Sequence, residues 1–350
     1  MALTFDTLPA LLSHGFDDVI DVRSPAEYAE DHVPGAINLP VLSNEERAEV
    51  GTIYKQQSPF LARKIGAAMV FRNAAEHIAG PLAGRDGAWR PLVYCWRGGQ
   101  RSGSFSWMLG QIGWRTDTIA GGYQTFRRLV HRALYTDPVA APVVLLDGNT
   151  GTAKTELLAG LERRGLQVLD LEGLARHRGS LLGERPGGQP TQKAFETALA
   201  SRLVALDPAR PVIVEAESSK IGERIIPPSL WAAMRAAPRI AVEAPFEARI
   251  RYLVEAYDDI LSDAERLRAR LAPLVHVRGR ALVDHWFELI AAGDRHGLVA
   301  SLMADHYDPA YGKSRRAPDR TVTAEGLDAP HLEAVAARIE QAVLELAAAR

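Results

Sequence analysis

Short apolar runs alternate with longer amphipathic segments through the first 135 residues. The runs predict buried strands, and the segments between them predict helices. Strands are predicted at 18–22, 36–39, 92–94 and 116–119, and helices at 25–30 and 103–112. A further helix follows Gly121-Gly122-Tyr123 and carries a basic face. Strands that alternate with helices predict a parallel α/β sheet.

The pattern breaks at the proline-containing stretch 137–142, and a new apolar strand begins at Val143. Strands are predicted at 143–146, 167–171, 212–215 and 240–243. Residues 247–303 are mostly of helical pattern, and an Ala/Glu/Leu-rich helix is predicted at 330–349. We therefore expect two domains, residues 1–136 and 137–350, both of α/β class, the second with a helical C-terminal extension.

The amino-acid composition indicates the general class of protein but not its function. The 350 residues are 47% hydrophobic and 24% charged, as in soluble globular proteins, and no apolar run approaches membrane-spanning length. A single cysteine, with no secretory pattern at the N-terminus, favours a cytoplasmic protein. The net charge of -2 gives no global attraction to nucleic acid, so any RNA affinity must come from local basic patches.

The single cysteine, Cys95, directly follows an apolar strand and opens a Cys-x5-Arg loop that ends in Arg101. A strand that ends in such a loop and runs into a helix directs backbone N–H groups at one point, which binds anions and lowers the pKa of a thiol. We therefore interpret Cys95 as a nucleophile, although a lone cysteine is more often a buried apolar residue. Arg97 and Arg101 supply positive charge beside the sulfur. The other members of this predicted anion nest are Trp96, Gly98, Gly99, Gln100 and Ser102.

A second motif has the form of a phosphate-binding P-loop between a strand and a helix. Its predicted phosphate-binding residues are Gly148, Asn149, Thr150, Gly151, Thr152, Ala153, Lys154 and Thr155. Lys154 is expected to reach terminal phosphates, and the Thr155 hydroxyl to hold Mg²⁺. Ala153 stands where the usual motif has glycine, and it fits if its φ is negative. At the end of a nearby predicted strand, Glu215 or Glu217 is a candidate acid that orients a metal-bound water.

Basic residues near the two motifs are candidates for contacts with an RNA backbone. They are Arg127, Arg128, Arg132, Arg176, His177, Arg178, Arg185 and Lys193. Exposed helices also carry such charges for solvation alone. The histidines form no Cys/His cluster, which argues against a zinc site.

Taken together, these motifs resemble a known family. Residues 21–28, 32–40 and the Cys95 loop resemble a rhodanese domain across 1–135. The whole chain is similar to bacterial tRNA 2-selenouridine synthases, in which a rhodanese domain is fused to a P-loop domain. The matching stretches are 94–102, 121–123, 170–175, 177–180 and 306–311.

The resemblance implies an activity and its substrates. The family replaces sulfur by selenium at C2 of the wobble 2-thiouridine of tRNA, using selenophosphate. It also attaches a geranyl group to that sulfur, which turns it into a better leaving group. On this basis Cys95 would carry selenium as a selenopersulfide, and Arg97 and Arg101 would hold the selenophosphate.

For the P-loop, the resemblance leaves two ligands in competition, a nucleoside triphosphate and geranyl diphosphate with Mg²⁺. We favour geranyl diphosphate, because the net reaction needs no nucleotide hydrolysis. No tightly bound cofactor is expected. Two other functions remain open: a rhodanese-type sulfurtransferase fused to a kinase-like domain, and a non-enzymatic phosphate-sensing module.

Overall fold

In the computed structural model, which describes residues 1–312 and 316–348, the chain divides into two compact units. The first comprises Met1–Asp137 and Pro190–Ala205, and the second comprises Pro138–Gln189 and Leu206–Arg350. Both units are built on parallel sheets, so the predicted α/β class is confirmed.

The sheet of the first unit has the strand order β1-β5-β4-β2-β3, and every pair in it is parallel. Its strands are β1 (Ala2–Leu3), β2 (Asp18–Asp21), β3 (Ile37–Asn38), β4 (Pro91–Tyr94) and β5 (Asp117–Ile119). Strand β4 lies in the middle of the sheet and all its residues are buried, which explains its unbroken apolar sequence. The end of β4 places Cys95 at the carboxyl edge of the sheet, where sites of parallel sheets form.

Helices cover this sheet and extend beyond the sequence prediction. They are α1 (Leu8–Leu12), α2 (Pro25–Glu30), α3 (Asn44–Gln56), α4 (Pro59–Ala79), α5 (Gln100–Ile112) and α6 (Gly122–Tyr135). Each of α2, α3 and α4 begins after a serine, and the caps of α2 and α3 are complete capping boxes. Helices α3 and α4 form a pair that the hydrophobic pattern did not predict.

One helix of the first unit comes from later in the chain. It is α9 (Gln192–Val204), which packs on α1 and α6. Within this unit the buried carboxylate of Asp31 accepts hydrogen bonds from Tyr123 Oη (2.8 Å) and Thr197 Oγ1 (3.0 Å). A carboxylate with two such donors is a satisfied polar group, so these bonds hold α9 in place.

The sheet of the second unit has the order β12-β11-β6-β8-β7, again all parallel. Its strands are β6 (Val143–Gly148), β7 (Gln167–Leu169), β8 (Val212–Glu215), β11 (Arg239–Glu243) and β12 (Arg320–Thr323), with a separate antiparallel pair β9 (Lys220–Ile221) and β10 (Arg224–Ile225). Strand β7 ends two residues before the predicted limit, because Asp170 caps the next helix by accepting from Gly173 N (2.6 Å).

The helices of the second unit fall into two groups. Those packed with the sheet or its loops are α7 (Lys154–Arg163), α8 (Leu171–Ala175), α10 (Pro228–Ala236), α11 (Phe246–Ala256) and α18 (Ala329–Ala348). The others are α12 (Asp258–Leu261), α13 (Ala264–Leu271), α14 (Val275–Arg278), α15 (Arg280–Ala292), α16 (Arg295–Leu302) and α17 (Asp308–Gly312). The predicted helical extension is thereby confirmed; of the helix predicted at 330–349, Ala349 lies outside the described residues.

Two apolar cores stabilise the second unit. One joins the sheet to α7 and α18, with Leu146 and Ile339 fully buried. The other lies among α11 to α16 around Trp286, whose indole N–H donates to Ser301 Oγ (2.9 Å). Within residues 1–312 and 316–348, no helix is both long and apolar enough to cross a membrane.

Candidate functional site

The Cys95 loop is fixed by the start of α6. Tyr123 N donates to the carbonyl of Cys95 (2.8 Å), and Gln124 N donates to that of Trp96 (3.1 Å). Gly98 has φ +64°, and a Cβ there would lie 2.6 Å from the Ile119 carbonyl oxygen. Only glycine therefore allows the loop to pass this close to the end of β5.

The sulfur of Cys95 is buried and hydrogen-bonded. Ser102 Oγ lies 3.2 Å from Sγ and donates to it. Burial opposes ionisation, but hydrogen bonds from Ser102 and Gly99 and the charge of Arg101 outweigh it, so the pKa of Cys95 lies below its ordinary value. The site therefore favours the thiolate, which is the nucleophilic form of cysteine.

The two predicted arginines occupy different environments. Arg101 is half-buried and donates to Glu27 Oε2 (3.0 Å), whereas Arg97 is exposed. Burial of Glu27 is outweighed by its contacts with Arg101, so the pKa of Glu27 is lowered and the carboxylate stays charged. Both arginines line a cavity of about 1010 Å³ that also reaches Cys95 and Trp96. The structure thus brings the predicted nucleophile and both arginines to one cavity.

The P-loop connects β6 to α7 as expected, but its backbone differs from the expectation at one residue. Ala153 has φ +55°, in the left-handed region, where the predicted fit required a negative φ. This conformation costs an alanine about 1 kcal/mol relative to glycine, which explains why the usual motif has glycine here. Ala153 is nearly fully buried, so the strain is held by surrounding packing.

Lys154 folds back over its own loop and donates from Nζ to the carbonyl of Gly148 (2.9 Å). Beside it lies a cavity of about 190 Å³ lined by the loop, Glu172, Arg178 and Arg185. Arg185 Nε is buried and has no hydrogen-bond acceptor among the described residues. A cavity with this lysine, these arginines and loop N–H groups suits a phosphate group.

The two predicted acids at the end of β8 have different contacts. Glu215 is buried at its end and accepts from Leu171 N (2.6 Å), so it anchors the start of α8. Glu217 instead faces Glu172, a residue that sequence reasoning did not single out for chemistry. Burial and the charge of Glu217 raise the pKa of Glu172 to about 8, against an opposing effect of Lys154. Glu172 therefore holds a proton at neutral pH, in a hydrogen bond to Glu217.

The raised pKa of Glu172 predicts a pH dependence of stability. The folded state keeps a proton on Glu172 that the unfolded chain releases above about pH 4.3. The stabilising contribution of Glu172 to the free energy of unfolding is therefore complete below about pH 4.3 and is lost as the pH rises towards 8. We expect Glu172→Gln to raise the thermal unfolding midpoint by several degrees at pH 9 and by little at pH 5, as measured by calorimetry. The exposed Glu265→Gln serves as control; equal shifts for Glu172→Gln at both pH values would contradict the raised pKa.

A buried ion pair that the sequence did not reveal supports the P-loop. The Arg249 guanidinium donates to the Thr150 carbonyl (2.8 and 2.9 Å) and to Asp308 (2.7 and 3.0 Å). Asn149 Nδ2 also donates to Asp308 (3.2 Å). The stretch 306–311, noted only as a resemblance, therefore includes a residue that positions the loop.

The predicted RNA-contact residues lie in varied settings. In the first unit, Arg127 pairs with Glu196, Lys193 with Glu30 (2.7 Å), Arg132 with Asp137 (3.3 Å), and Arg128 donates to Thr125 Oγ1 (2.9 Å). In the second, Arg178 pairs with Asp259 (3.1 Å), His177 is buried, and Arg176 has φ +48°. Arg178 and Arg185 alone of the predicted set line the P-loop cavity. Their role in binding RNA stays a prediction.

Comparison with known proteins places both sites within one family. A rhodanese-like domain model matches residues 4–129, and a model of the tRNA 2-selenouridine synthase AAA domain matches residues 141–276. A tRNA 2-selenouridine synthase from Alcanivorax borkumensis is 33% identical over 337 residues, which covers 85% of this chain and 90% of that protein. The chain belongs to the tRNA 2-selenouridine synthase family. The resemblance seen in the sequence is confirmed.

Other tRNA 2-selenouridine synthases match over similar lengths. One from Hahella chejuensis is 31% identical and covers 84% of each chain. One from Nitrosomonas europaea is 35% identical over 73% of this chain and 68% of that protein. In this member of the tRNA 2-selenouridine synthase family, the rhodanese-like match includes Cys95, and the AAA-domain match includes Lys154 and Glu172.

Proposed function

We propose that this protein converts the wobble 2-thiouridine of tRNA into 2-selenouridine through an S-geranyl intermediate, with geranyl diphosphate and selenophosphate as substrates. The observation that carries the proposal is the Cys95 sulfur, held 3.2 Å from the Ser102 hydroxyl in a Cys-x5-Arg loop. Family membership supports tRNA as the acceptor. Each site has its own chemistry.

Electron balance decides how Cys95 acts on selenophosphate. Selenium there is already at the selenide level, so a selenopersulfide on Cys95 would require an oxidant that removes two electrons, which neither substrate supplies. Attack on phosphorus needs none. The Cys95 thiolate forms an S–P bond, the P–Se bond breaks, and selenium leaves with the electron pair as hydrogen selenide. Water then hydrolyses the S-phosphoryl cysteine to phosphate and thiol.

The loop suits this step at phosphorus. Its length, with five residues between Cys95 and Arg101, leaves room for a tetrahedral oxyanion. Backbone N–H groups and the guanidinium of Arg101 oppose the charge that develops on the oxygens. The Ser102 hydroxyl stabilises the thiolate both before attack and when it leaves. The hydrogen selenide then adds to C2 of the S-geranyl uridine, the C2–S bond breaks, and geranylthiolate departs.

The P-loop cavity is the proposed site of geranyl transfer. The allylic C–O bond of geranyl diphosphate breaks, the uridine sulfur forms the new C–S bond, and diphosphate departs with the electron pair. Lys154 and Arg185 oppose the charge of the diphosphate. At about 190 Å³ the cavity is below the roughly 300–1,000 Å³ of sites that enclose drug-sized ligands, so it fits a diphosphate group with the remainder of the ligand outside.

Magnesium fits this cavity only together with a phosphate ligand. No group of three or more His, Cys, Asp or Glu side chains among the described residues could hold a metal ion alone. The Thr155 hydroxyl lines the cavity and is a hard oxygen donor of the kind that Mg²⁺ prefers. When bound, the ion would neutralise charge on the departing diphosphate.

A nucleoside triphosphate is the second candidate for the P-loop, because the matching family model describes an AAA domain. The two ligands are distinguished by competition. If geranyl diphosphate binds in this cavity, it should displace a fluorescent ATP analogue, or ATP should fail to bind. Tight, saturable ATP binding that geranyl diphosphate leaves unchanged would reject our preference.

A time course tests the proposed function as a whole. 2-Thiouridine tRNA is incubated with the protein, geranyl diphosphate and selenophosphate, and the nucleosides are analysed by liquid chromatography and mass spectrometry. We expect S-geranyl-2-thiouridine to rise first and then to fall as 2-selenouridine appears. Omitting selenophosphate should leave the geranylated nucleoside as the end product. Formation of 2-selenouridine at the full rate without geranyl diphosphate would refute the proposed intermediate.

A further inference from the structure

A long groove runs from Cys95 between α3, α4 and the start of α5, wholly within the first unit. Its volume of about 1010 Å³ is at the upper limit of ordinary ligand sites, roughly 300–1,000 Å³. A selenophosphate ion occupies only the part next to the sulfur. The remainder of the groove therefore has room for a second, larger group beside the reacting atoms.

The floor of this groove is apolar. It includes Leu42, Val50, Ala62 and Val70, of which Leu42, Ala62 and Val70 are buried, and Ala67 lines the groove from an exposed position. The small side chains along α4 keep the groove open, since larger ones would fill it. An apolar floor next to an anion-binding nucleophile has no use in binding selenophosphate itself, because that ion is fully polar. It indicates an apolar ligand instead.

The rim of the groove is basic. Arg47, Lys55 and Arg63 line it in addition to Arg97 and Arg101, and the lining itself, all within the described residues, contains no aspartate or glutamate. The adjacent Glu27 carboxylate pairs with Arg101 (3.0 Å) and Arg47 (3.8 Å). One carboxylate beside five cations leaves the rim with a net positive charge. Such a rim complements a polyanion. A ligand with both an apolar chain and a phosphate backbone matches the floor and the rim together, whereas a neutral lipid or an unmodified RNA matches only one of them.

We propose that this groove binds the ten-carbon geranyl chain of the S-geranyl tRNA intermediate, with the basic rim against the RNA backbone, so that C2 of the uridine lies at the Cys95 loop. This inference rests on the proposed function and adds a site to it. Binding of the chain would hold the alkylated nucleoside where hydrogen selenide is released. It would also select alkylated over unalkylated RNA for the selenium step, since each buried methylene contributes roughly a fourfold gain in affinity.

Binding measurements on the full-length Cys95→Ser variant test the groove without turnover. The probes are anticodon stem-loop RNAs with a wobble 2-thiouridine that is unalkylated, S-methylated, S-dimethylallylated or S-geranylated. We expect Kd to fall with chain length, with S-geranyl RNA at least about thirtyfold tighter than S-methyl RNA. Equal Kd values for the S-methyl and S-geranyl RNAs would overturn the inference.

A matched pair of variants tests whether the preference for S-geranyl RNA arises in the groove. Ala67→Trp, in the same Cys95→Ser background, fills the groove from an exposed position on α4 and should reduce the preference for S-geranyl RNA at least tenfold. Ala68→Trp, at the neighbouring exposed position outside the lining, should retain it. Arg63→Ala should raise the Kd of all four RNAs by one common factor, because it removes only a contact with the RNA backbone. An unchanged preference in Ala67→Trp would place the geranyl chain elsewhere.

Two further measurements distinguish a failure of the proposed function from a failure of the groove assignment. Turnover of presynthesised S-geranyl RNA by the wild-type protein with selenophosphate tests the proposed function, and absence of 2-selenouridine there rejects that function whatever the Kd values show. Sedimentation of wild type and Ala67→Trp tests a different occupant. If the variant changes the oligomeric state and leaves the RNA preference intact, the groove is an interface between copies of this chain and the inference is wrong.

Discussion

Cys95→Ser should abolish formation of 2-selenouridine, with a fall in rate of at least about a thousandfold, while S-geranyl-2-thiouridine accumulates. A serine hydroxyl in the same loop remains un-ionised at neutral pH, so it cannot attack phosphorus as the thiolate does. Geranyl transfer should continue, because that reaction is assigned to the P-loop. Nucleoside analysis of the tRNA after incubation measures both products at once.

A second variant and the trapping of an intermediate test how Cys95 acts. Ser102→Ala keeps the thiol but removes the hydrogen bond to Sγ, so the pKa of Cys95 should rise and the pH profile of selenium incorporation should shift upward. Mass spectrometry of acid-quenched wild type should find Cys95 phosphorylated on sulfur. Selenium on that sulfur in place of phosphate would support the carrier mechanism, and normal 2-selenouridine formation by Cys95→Ser would exclude any covalent role.

Lys154→Ala should reduce geranylation by about a hundredfold or more, because it removes the positive charge that we propose opposes the charge of the diphosphate. Formation of 2-selenouridine from 2-thiouridine tRNA should fall equally, since the intermediate is missing. Conversion of presynthesised S-geranyl tRNA should stay near the wild-type rate. This contrast separates a loss of one step from general misfolding.

The control for Lys154→Ala lies on the same helix. Arg163 is exposed near the end of α7, and Arg163→Ala should leave both products unchanged. The measurement is again nucleoside analysis, with either 2-thiouridine or S-geranyl tRNA as substrate. If Lys154→Ala geranylates normally, the P-loop does not bind geranyl diphosphate for transfer.

Elements whose apolar residues stand out clearly from polar neighbours in the sequence could be predicted. Strands such as β4 and β8 are buried along their whole length, so they appear as short unbroken apolar runs. Helices α3 and α4 were missed for a physical reason. Helix α3 buries only Ile53, and α4 buries mainly small residues at four-residue spacing, Ala62, Gly66, Val70 and Ala74, which give little hydrophobic contrast.

The site was predictable where its chemistry is contiguous in the chain. The Cys95 loop and the P-loop each occupy eight consecutive residues, and their motifs are visible directly. Glu172 was missed because its effect depends on Glu217, which is distant in sequence and is brought near by the pairing of β7 with β8. Arg249 and Asp308 were missed likewise, since an ion pair between remote segments leaves no local pattern.

The placement of α9 bears on how these two units could have been joined in evolution. Its residues are encoded between segments of the second unit, yet they complete the first. A gene fragment that ends at residue 137 omits the helix that supplies Thr197 to the buried Asp31. Recombination at that single point would therefore not transfer the first unit whole, so the two units are expected to be inherited together.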